Sequence, residues 1–334
     1  LIETSNSTYF HGILKIPQGH YGVIDLKQDK LDISLTPYWR IPDKSPTVNL
    51  NCLVERVREL FIDSVRIRLR SDVPLGILLS GGIDSSAIAS TAHHILGQNS
   101  ELNLLSAVSK DPIFNESPFI DVMCNYLGMS SKKVFLDFSA EEAFHYLKKL
   151  SWFNDEPIGG FSNVAHHLLI REAKKYGLTV ILSGQGADEL LCGYKKYLGF
   201  YLQYLVRKKK YAKAIQVFVS FLKQNTIIKQ FNFREAGRYL PSFLRNTQLS
   251  ILGDNILDYV PQEIGLRAGD SVIERQKLDL THYSIPNLVH FEDRMAMALS
   301  AEIRVPFLDY RLVELLINAP IYEPLPVERI YLKI

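Results

Sequence analysis

Residues 80–86 read Ser-Gly-Gly-Ile-Asp-Ser-Ser and combine hydroxyls, glycines and one carboxylate in a single short segment. The two glycines allow the backbone to come close to a ligand. Hydroxyls and backbone N–H groups at the start of a helix attract an anion such as a phosphate. The carboxylate of Asp84 would repel that phosphate unless a cation lay between them. The segment therefore predicts Mg²⁺ bridging Asp84 to a pyrophosphate group.

A second glycine-rich segment, residues 183–189, reads Ser-Gly-Gln-Gly-Ala-Asp-Glu. If the two segments follow neighbouring strands, Asp188 can face Asp84, and two carboxylates hold magnesium better than one. The alternative is that the acids merely begin a helix, where the helix dipole favours them. We favour the metal role because the first segment already requires a cation. A Walker A phosphate loop is excluded, since no G-x-x-x-x-G-K-[ST] pattern occurs in the chain.

Strands and helices alternate around both segments. Apolar runs predict strands, and apolar residues at helical spacing predict the helices between them. The expected strands are 75–79, 102–108, 134–138 and 178–182, and the expected helices are 48–70, 85–96, 117–127, 141–150 and 164–176. This alternation is typical of an α/β fold, a parallel sheet with helices on both faces, where ligands bind at the carboxyl ends of strands. From about residue 188 the chain reads as almost wholly helical.

The first forty or so residues have a different pattern. Short strands are predicted at 12–16 and 21–26, a third ends at Trp39, and a linker with two prolines spans 41–46. This pattern divides the chain into residues 1–42 and a larger domain, residues 43–334. Because no methionine precedes Met123 and the chain ends inside an apolar helical pattern, we expect the sequence to be a fragment of a longer protein.

Composition limits the classes of partner. The net charge of +2, from 38 Lys and Arg against 36 Asp and Glu, argues against a general nucleic-acid surface. The three cysteines, Cys52, Cys124 and Cys192, form no C-x-x-C pair and no disulfide framework, which fits a reducing cytoplasm. No secretory signal and no apolar run of membrane-spanning length is visible. We therefore expect a cytoplasmic protein that binds small molecules and neither nucleic acid nor membrane.

A third segment makes the combination specific. Residues 290–297 read HFEDRMAM and residues 302–309 read EIRVPFLD, and this resembles the D-R-x-S-M-A and E-x-R-x-P-F-L-D patterns of the glutamine-hydrolysing asparagine synthetases. These belong to the ATP pyrophosphatase (PP-loop) superfamily, and the resemblance extends over the whole chain. It implies that residues 1–42 are the remnant of an N-terminal glutaminase domain with its linker. Residues 43–334 would be an adenine nucleotide alpha hydrolase-like synthetase domain, incomplete at its C-terminus.

The resemblance implies a reaction in asparagine biosynthesis. ATP converts the side-chain carboxylate of aspartate into β-aspartyl-AMP with release of pyrophosphate, and ammonia from glutamine then displaces AMP to give asparagine. The chemical need is clear, because a carboxylate resists nucleophiles and AMP turns its oxygen into a leaving group. The family often dimerises through its glutaminase half, so a homodimer is a further expectation.

The family's functional positions carry over residue by residue. Those that would contact ATP are Leu78, Ser80, Gly81, Gly82, Asp84, Ser85, Ser86, Val108, Ser183 and Gly184. Asp84 and Asp188 would bind Mg²⁺, and Gln185, Glu302 and Arg304 would form the catalytic group. Leu78 and Val108 can equally be plain strand core, and Glu302 and Arg304 can equally form a structural ion pair.

The chain departs from the family pattern at several places. Gln185 stands where the best-known members have a glutamate that is thought to assist proton transfer, and a neutral amide can orient a group but cannot act as a base. Residues 295–297 lack the usual serine. The glutaminase cysteine would precede Leu1 and a later catalytic lysine would follow Ile334, so we expect the fragment by itself to be inactive.

Two other functions remain open on the sequence. β-Lactam synthetases and peptide macrocyclases also adenylate a carboxylate, use an internal amine, and often change the residue that corresponds to Gln185. A nucleotide-binding protein without activity would be expected to lose its metal acids, whereas Asp84 and Asp188 are both present. An enzyme that modifies nucleic acid finds no support, because the chain has neither a basic stripe with interleaved aromatics nor a C-x-x-C pair.

Overall fold

The computed structural model describes residues 6–27, 33–43, 50–97, 102–111, 115–136, 139–158, 160–223, 272–317 and 319. The chain divides into two compact units. The first comprises residues 1–191 and 280–334, and the second comprises residues 192–279. Both glycine-rich segments and the third motif segment belong to the first unit.

Seven strands are present in the described residues. They are β1 His20–Ile24, β2 Ile33–Pro37, β3 Leu75–Leu78, β4 Asn103–Val108, β5 Ser131–Phe135, β6 Val180–Leu182 and β7 Glu302–Arg304. The strands β1 and β2 form an antiparallel hairpin. The other five form one sheet in the order β5-β4-β3-β6-β7, and every neighbouring pair in it is parallel. The strands that precede the two glycine-rich segments, β3 and β6, are therefore neighbours.

Helices connect these strands. They are α1 Leu50–Arg68, α2 Ile83–Leu96, α3 Ser117–Leu127, α4 Ala140–Asn154, α5 Phe161–Lys175, α6 Ala187–Leu191, α7 Lys195–Arg207, α8 Tyr211–Lys223, α9 Val272–Leu278, α10 Ile285–Met297 and α11 Tyr310–Leu316. A π-helical turn spans Asp279–Tyr283 and a 3-10 turn spans Pro306–Leu308. None of the helices in the described ranges is long and apolar enough to cross a membrane.

The central sheet buries both of its faces. Successive side chains of a strand point to opposite faces, so Ile77, Leu104 and Leu182 belong to one core, which they share with apolar residues of α1, α2 and α3. Leu105 and Ile181 belong to a second core on the other face, together with α5 and α10. Burying one such aliphatic side chain stabilises a fold by about 1.5–3 kcal/mol. The predicted α/β class, a parallel sheet with helices on both faces, is confirmed.

Two of the predicted strands were wrong in position or type. Residues 12–16 form no strand and contribute only an isolated bridge between Ser7 and Leu14. Strand β5 begins at Ser131 rather than at residue 134, because its register starts with Ser131 opposite Leu104; residues 137–138 of the expected strand lie outside the described residues. The described part after residue 188 is mostly helical, as predicted, and it contains the short strand β7, which joins the sheet at its edge.

Among its described residues, the second unit buries the carboxylate of Asp279. Asp279, which is fully buried, accepts a hydrogen bond from the hydroxyl of Tyr197 at 2.8 Å. It also lies 2.7 Å from Arg275 Nη2 and 2.9 Å from Lys196 Nζ. Buried charges need such partners, so this cluster fixes the end of α9 against the start of α7.

Asp309 links the first helix of the sheet domain to the last. It caps the N-terminus of α11, with its side chain accepting from the backbone N–H of Arg311. Arg68 Nη1 on α1 and Arg311 Nε also donate to it, at 3.0 Å and 2.9 Å. Burial alone would raise the pKa of Asp309, but the hydrogen bonds from Arg311 and Arg68 outweigh it and lower the pKa from 3.8 to about 2.

This lowered pKa predicts a specific acid sensitivity. A carboxylate with a depressed pKa in the folded state contributes stability above its unfolded pKa, and that contribution is lost as the pH falls from about 4 to about 2. We expect the difference in free energy of unfolding between the wild type and Asp309→Asn to shrink by about 2 kcal/mol as the pH falls from about 4 to about 2. Urea titrations at several pH values measure this difference.

The matched control is Asp63→Asn, because Asp63 also pairs with Arg311, at 2.7 Å, but its side chain is 37% exposed. Removing this exposed partner should cost no more than about 1 kcal/mol and should leave the acid sensitivity in place. Equal pH dependence in wild type and Asp309→Asn would contradict this account of Asp309.

Candidate active site

The first glycine-rich loop is closed by its own serines. Ser80 N–H donates to Ser85 Oγ at 3.1 Å, and the two hydroxyl oxygens lie 3.0 Å apart. Gly82 N–H donates to Ser80 Oγ at 3.2 Å, and Ser85 Oγ donates to the carbonyl of Gly82 at 3.1 Å. These bonds turn the chain sharply between β3 and α2, so that the loop lies at the carboxyl end of β3. Ser86 lies in the first turn of α2, and its N–H donates to the Gly82 carbonyl.

Gly81 is required by the backbone itself, and Gly82 occupies the N-cap position of α2. Gly81 has a φ of +76°, and a Cβ at this position would lie 2.6 Å from Phe119 Cβ and 2.7 Å from the N atom of Ile120. The loop is therefore pressed against the start of α3. Gly82 is the N-cap of α2 and supplies no side-chain cap, so the first N–H groups of this helix stay available to an anion.

The two loops lie against each other. The register of β3 and β6 sets Ile77 opposite Leu182, one residue before the second loop. A Cβ on Gly184 would lie 3.2 Å from Asp84 Cβ and 3.4 Å from Ser85 N, so the backbone of the second loop touches the start of α2. The two loops follow neighbouring strands, which is the condition for Asp188 to face Asp84. A metal ion shared by these two carboxylates stays a prediction.

The acids of the second loop have different surroundings. Asp188 is half-buried in the first turn of α6. Glu189 is fully buried, and its carboxylate accepts a short hydrogen bond from the Ser284 hydroxyl. Glu189 therefore holds the N-terminus of α10 in place, whereas the Asp188 side chain is only half-buried, beside the second loop. Sequence alone could not separate these two neighbouring acids.

The third motif segment packs on the second loop. Ser183 N–H donates to the carbonyl of Arg304 at 2.9 Å, which extends the pairing of β6 with β7. Gly186 has a φ of +91°, and a Cβ there would collide with the side chain of Leu308. All three motif segments thus converge at one edge of the sheet, which is the edge where parallel α/β folds bind their ligands.

The sequence itself matches known proteins over most of its length. A family model described as Asparagine synthase covers residues 56–328. The chain belongs to the asparagine synthase family. Asparagine synthetases [glutamine-hydrolyzing] 1 and 3 of Bacillus subtilis are each 28% identical to it, over 295 and 336 residues, covering 83% and 95% of this chain and 45% and 50% of their own length. Amidase chry2 of Gibberella zeae is 28% identical over 212 residues, covering 58% of this chain and 31% of its own length. The chain thus spans half or less of the length of these relatives.

The remaining predicted nucleotide contacts of this asparagine synthase domain lie at the ends of strands. Leu78 is the last residue of β3 and Val108 is the last residue of β4, the neighbouring strand. Val108 is buried and its carbonyl accepts from Leu136 N–H at 3.1 Å. Both residues therefore belong to the core strands and also lie at the carboxyl ends of those strands, beside the loops. Their contact with adenosine stays a prediction.

The three residues predicted to be catalytic, Gln185, Glu302 and Arg304, make different contacts. Gln185 is half-buried in the second loop, and its backbone N–H donates to Ser183 Oγ, with the N and O atoms 3.4 Å apart. Arg304 Nε bonds Glu302 Oε1 at 2.7 Å, and Arg304 Nη1 donates to the carbonyls of Arg68 and Arg70. Glu302 and Arg304 thus form an ion pair within β7, and the bonds from Arg304 to the two carbonyls tie β7 to the end of α1. Their catalytic role stays a prediction.

One polar residue of this edge was quoted in a motif but given no role by the sequence. Burial of Glu292 on α10 raises its pKa from 4.5 to about 7, and the neighbouring Ser183 side chain lowers it by a smaller amount. His166 Nε2 on α5 lies 4.0 Å from Glu292 Oε1, and burial, with a smaller effect of His167, lowers the pKa of His166 to about 4. The available signal was helical spacing, since Glu292 lies four residues before the buried Ala296.

Proposed function

We propose that this asparagine synthase domain activates the side-chain carboxylate of aspartate with ATP. The products of this step would be β-aspartyl-AMP and pyrophosphate, and ammonia derived from glutamine would then convert the adenylate into asparagine and AMP. The observation that carries the proposal is the contact of the two glycine loops, Gly184 against Asp84, at the carboxyl ends of neighbouring strands. Membership of the family supports an ATP-dependent amidation ligase.

The residues present fit a nucleotide polyphosphate. Gly81 and Gly184 lie where side chains would fill the space between the loops and their neighbours, so the surface there is formed by backbone. The N-terminus of α2, a helix of 14 residues, lacks a side-chain cap and offers N–H groups to phosphate oxygens. The bonds among Ser80, Gly82 and Ser85 hold this turn in shape, and the Ser86 hydroxyl lies in the same first turn of the helix. We therefore assign the triphosphate to the Ser80–Ser86 loop and the adenosine to the ends of β3 and β4.

The donor set also fits Mg²⁺. Within the described part of the chain, no group of three or more His, Cys, Asp or Glu side chains is arranged to hold a metal. Two carboxylates are nevertheless what Mg²⁺ requires, because it commonly binds one or two carboxylates together with substrate phosphates and water. Asp84 and Asp188 would supply them. The ion, when bound, would neutralise charge on the phosphates.

The protein's own contribution is positioning. The carboxylate must be held in line with the α-phosphorus while the loops keep the pyrophosphate in place. Gln185 can orient a group through its amide but cannot accept a proton. Ammonia supply would come from a glutaminase domain, of which residues 1–42 are proposed to be the end. We also propose that the protein is a cytoplasmic homodimer. All three cysteines lie in the described ranges, and none of them forms a disulfide.

A product analysis tests this function. The full-length gene product is given MgATP, aspartate and ammonium, pyrophosphate release is followed, and the amide product is identified by mass spectrometry. We expect asparagine and AMP in equal amounts. Pyrophosphate release only with another carboxylic acid would favour the related ligases that use an internal amine. ATP binding without pyrophosphate release with any acid would favour a nucleotide-binding protein without activity.

A further inference from the structure

The helical hairpin of the second unit is strongly basic. It comprises α7, the turn that follows and α8, residues 195–223, and is called the basic hairpin below. It contains eight Lys or Arg residues and no Asp or Glu, whereas the rest of the chain has 30 Lys and Arg against 36 Asp and Glu. The net charge of +2 is therefore the sum of a basic segment and an acidic remainder, and it does not describe the partners of this segment.

Three consecutive lysines, residues 208–210, form the turn of the basic hairpin. Lys209 N–H donates to the carbonyl of Val206 at 3.0 Å, and Lys210 N–H donates to the carbonyl of Leu205 at 2.9 Å. This bonding pattern ends a helix with one residue in the left-handed conformation, which is usually glycine. Here that residue is Lys209, with a φ of +56°. A lysine thus occupies a strained position that glycine would fill without strain, which indicates a use for its side chain.

The helix dipoles explain only some of these cations. A cation stabilises the C-terminus of a helix, which accounts for Arg207 and Lys208 at the end of α7. Lys210 and Lys213 lie just before and within the first turn of α8, where the dipole favours acids and none is present. Within the described part of the chain, neither of them forms an ion pair, and nor does Lys209. These charges can therefore attract an external anion.

An exposed apolar stripe continues from the turn along α8. It recurs at helical spacing on one face, each member is between 42% and 64% exposed, and it consists of Tyr211, Ile215, Phe218 and Val219. Val206, just before the turn, is 50% exposed as well. An exposed apolar face beside lysines is typical of a helix that lies in the plane of a lipid surface. There the apolar side chains enter the boundary of the acyl chains and the cations contact headgroup phosphates.

The composition of the stripe favours lipid over nucleic acid. A surface for single-stranded nucleic acid combines cations with aromatic rings on which bases stack. Half of the stripe is aliphatic, since it contains Ile215 and Val219, and the aliphatic Val206 extends it. A base cannot stack on these side chains, whereas acyl chains can cover all of them.

We propose that the basic hairpin binds an anionic lipid surface. The apolar stripe of α8 enters the boundary between headgroups and acyl chains, and Lys209 and Lys210 contact the lipid phosphates. This binding is independent of the reaction at the glycine loops, so either can exist without the other.

Co-sedimentation of the full-length gene product with vesicles tests this binding. Vesicles of phosphatidylcholine alone are compared with vesicles of equal parts phosphatidylcholine and phosphatidylglycerol. The wild type should bind the mixed vesicles at least about tenfold more tightly, and less tightly as the salt concentration rises. Lys209→Gln together with Lys210→Gln should weaken this binding about 30-fold, because each lysine near an anionic surface contributes about fivefold. Ile215→Ser should weaken it about tenfold.

Two further variants control for general charge and for folding. Lys148→Gln together with Lys149→Gln changes two consecutive exposed lysines of α4 and should alter vesicle binding by less than about twofold. Lys209→Gly removes one charge of the turn and relieves its left-handed backbone. It should keep or raise the Tm and still weaken binding about fivefold, which a loss of structure would not produce.

Three results would overturn the proposal. The first is wild-type protein that binds both kinds of vesicle equally or binds neither. The second is an equal loss of binding in the hairpin pair of variants and in the α4 pair, which would show a general charge effect. The third is binding to single-stranded polyuridylate that is tighter than binding to the mixed vesicles and is lost in the hairpin pair, which would assign the basic hairpin to nucleic acid. Pyrophosphate release should be unchanged in every variant, since none alters the glycine loops.

Discussion

Asp84→Asn is expected to abolish aspartate-dependent pyrophosphate release in the full-length gene product. Asparagine has the same shape as aspartate, so it fits beside Gly184, the residue whose added Cβ would lie 3.2 Å from the Cβ of Asp84. Its amide, however, is a poor ligand for a hard cation such as Mg²⁺. A metal that stabilises the phosphate charge contributes several kcal/mol, so the rate should fall by roughly 10³-fold, and the Mg²⁺ concentration for half-maximal rate should rise.

Asp188→Asn should behave in the same way, since the proposal assigns both carboxylates to one ion. The matched control is Asp121→Asn, because Asp121 is an exposed acid on the neighbouring helix α3 that pairs with Lys133 at 2.6 Å. That substitution should leave pyrophosphate release and the Mg²⁺ requirement unchanged. A variant Asp84→Asn that keeps both its rate and its Mg²⁺ requirement would contradict the assigned metal site.

Gly81→Ala is expected to have the second large effect, on stability and on nucleotide affinity together. Its φ of +76° is strained for alanine, and the added Cβ would meet the backbone N of Ile120 at 2.7 Å. A left-handed backbone costs about 1–2 kcal/mol, and overpacking against fixed backbone about 1–3 kcal/mol more. The loop can relieve this only by moving away from α3, so the Kd for MgATP should rise by at least about tenfold. Isothermal titration and thermal unfolding measure the two effects.

Gly97→Ala is the matched control for that substitution. Gly97 ends α2 with a φ of +86°, so alanine would suffer a similar backbone strain, but nothing lies within 4 Å of the added Cβ. We expect a loss of stability of about 1–3 kcal/mol and an unchanged Kd for MgATP. If Gly81→Ala binds MgATP as tightly as Gly97→Ala does, the packing of the loop on α3 does not position the phosphates.

Much of the loop edge was predictable from the sequence because its signals are local. The glycines of both loops follow short apolar strands, and these patterns need no knowledge of distant residues. The adjacency of β3 and β6 was stated as a condition, and the sheet order confirms it. The long helices α1 and α3 were also predictable, since apolar residues repeat along them at helical spacing.

The errors fall where the structure depends on pairing between distant segments. Strand β7 has only three residues, two of them charged, and it exists because it pairs with β6. Strand β5 begins with a serine and two lysines, a run without an apolar signal, whose position is set by its register with β4. The apolar run at residues 12–16 has no partner strand in the described residues and forms no ladder.

Glu292 could not be assigned a role from the sequence for the same reason, because its position also depends on segments that are distant in the chain. Glu292 looks in sequence like any acid on an amphipathic helix. Its burial results from α5, α10 and the second loop meeting, and these elements are more than a hundred residues apart at their extremes. The same holds for Arg304, whose hydrogen bonds to the carbonyls of Arg68 and Arg70 cannot be read from the motif that contains it.

We propose that the two touching glycine loops form a site where a carboxylate attacks the α-phosphorus of ATP. To test this, the full-length gene product is given MgATP, ammonium and aspartate whose side-chain carboxylate carries ¹⁸O, and the mass of the AMP formed is determined. We expect one ¹⁸O atom in each AMP, because the bridging oxygen of the adenylate comes from the carboxylate and leaves with AMP. Label that appears in inorganic phosphate with ADP as the product, or AMP formed without label, would contradict it.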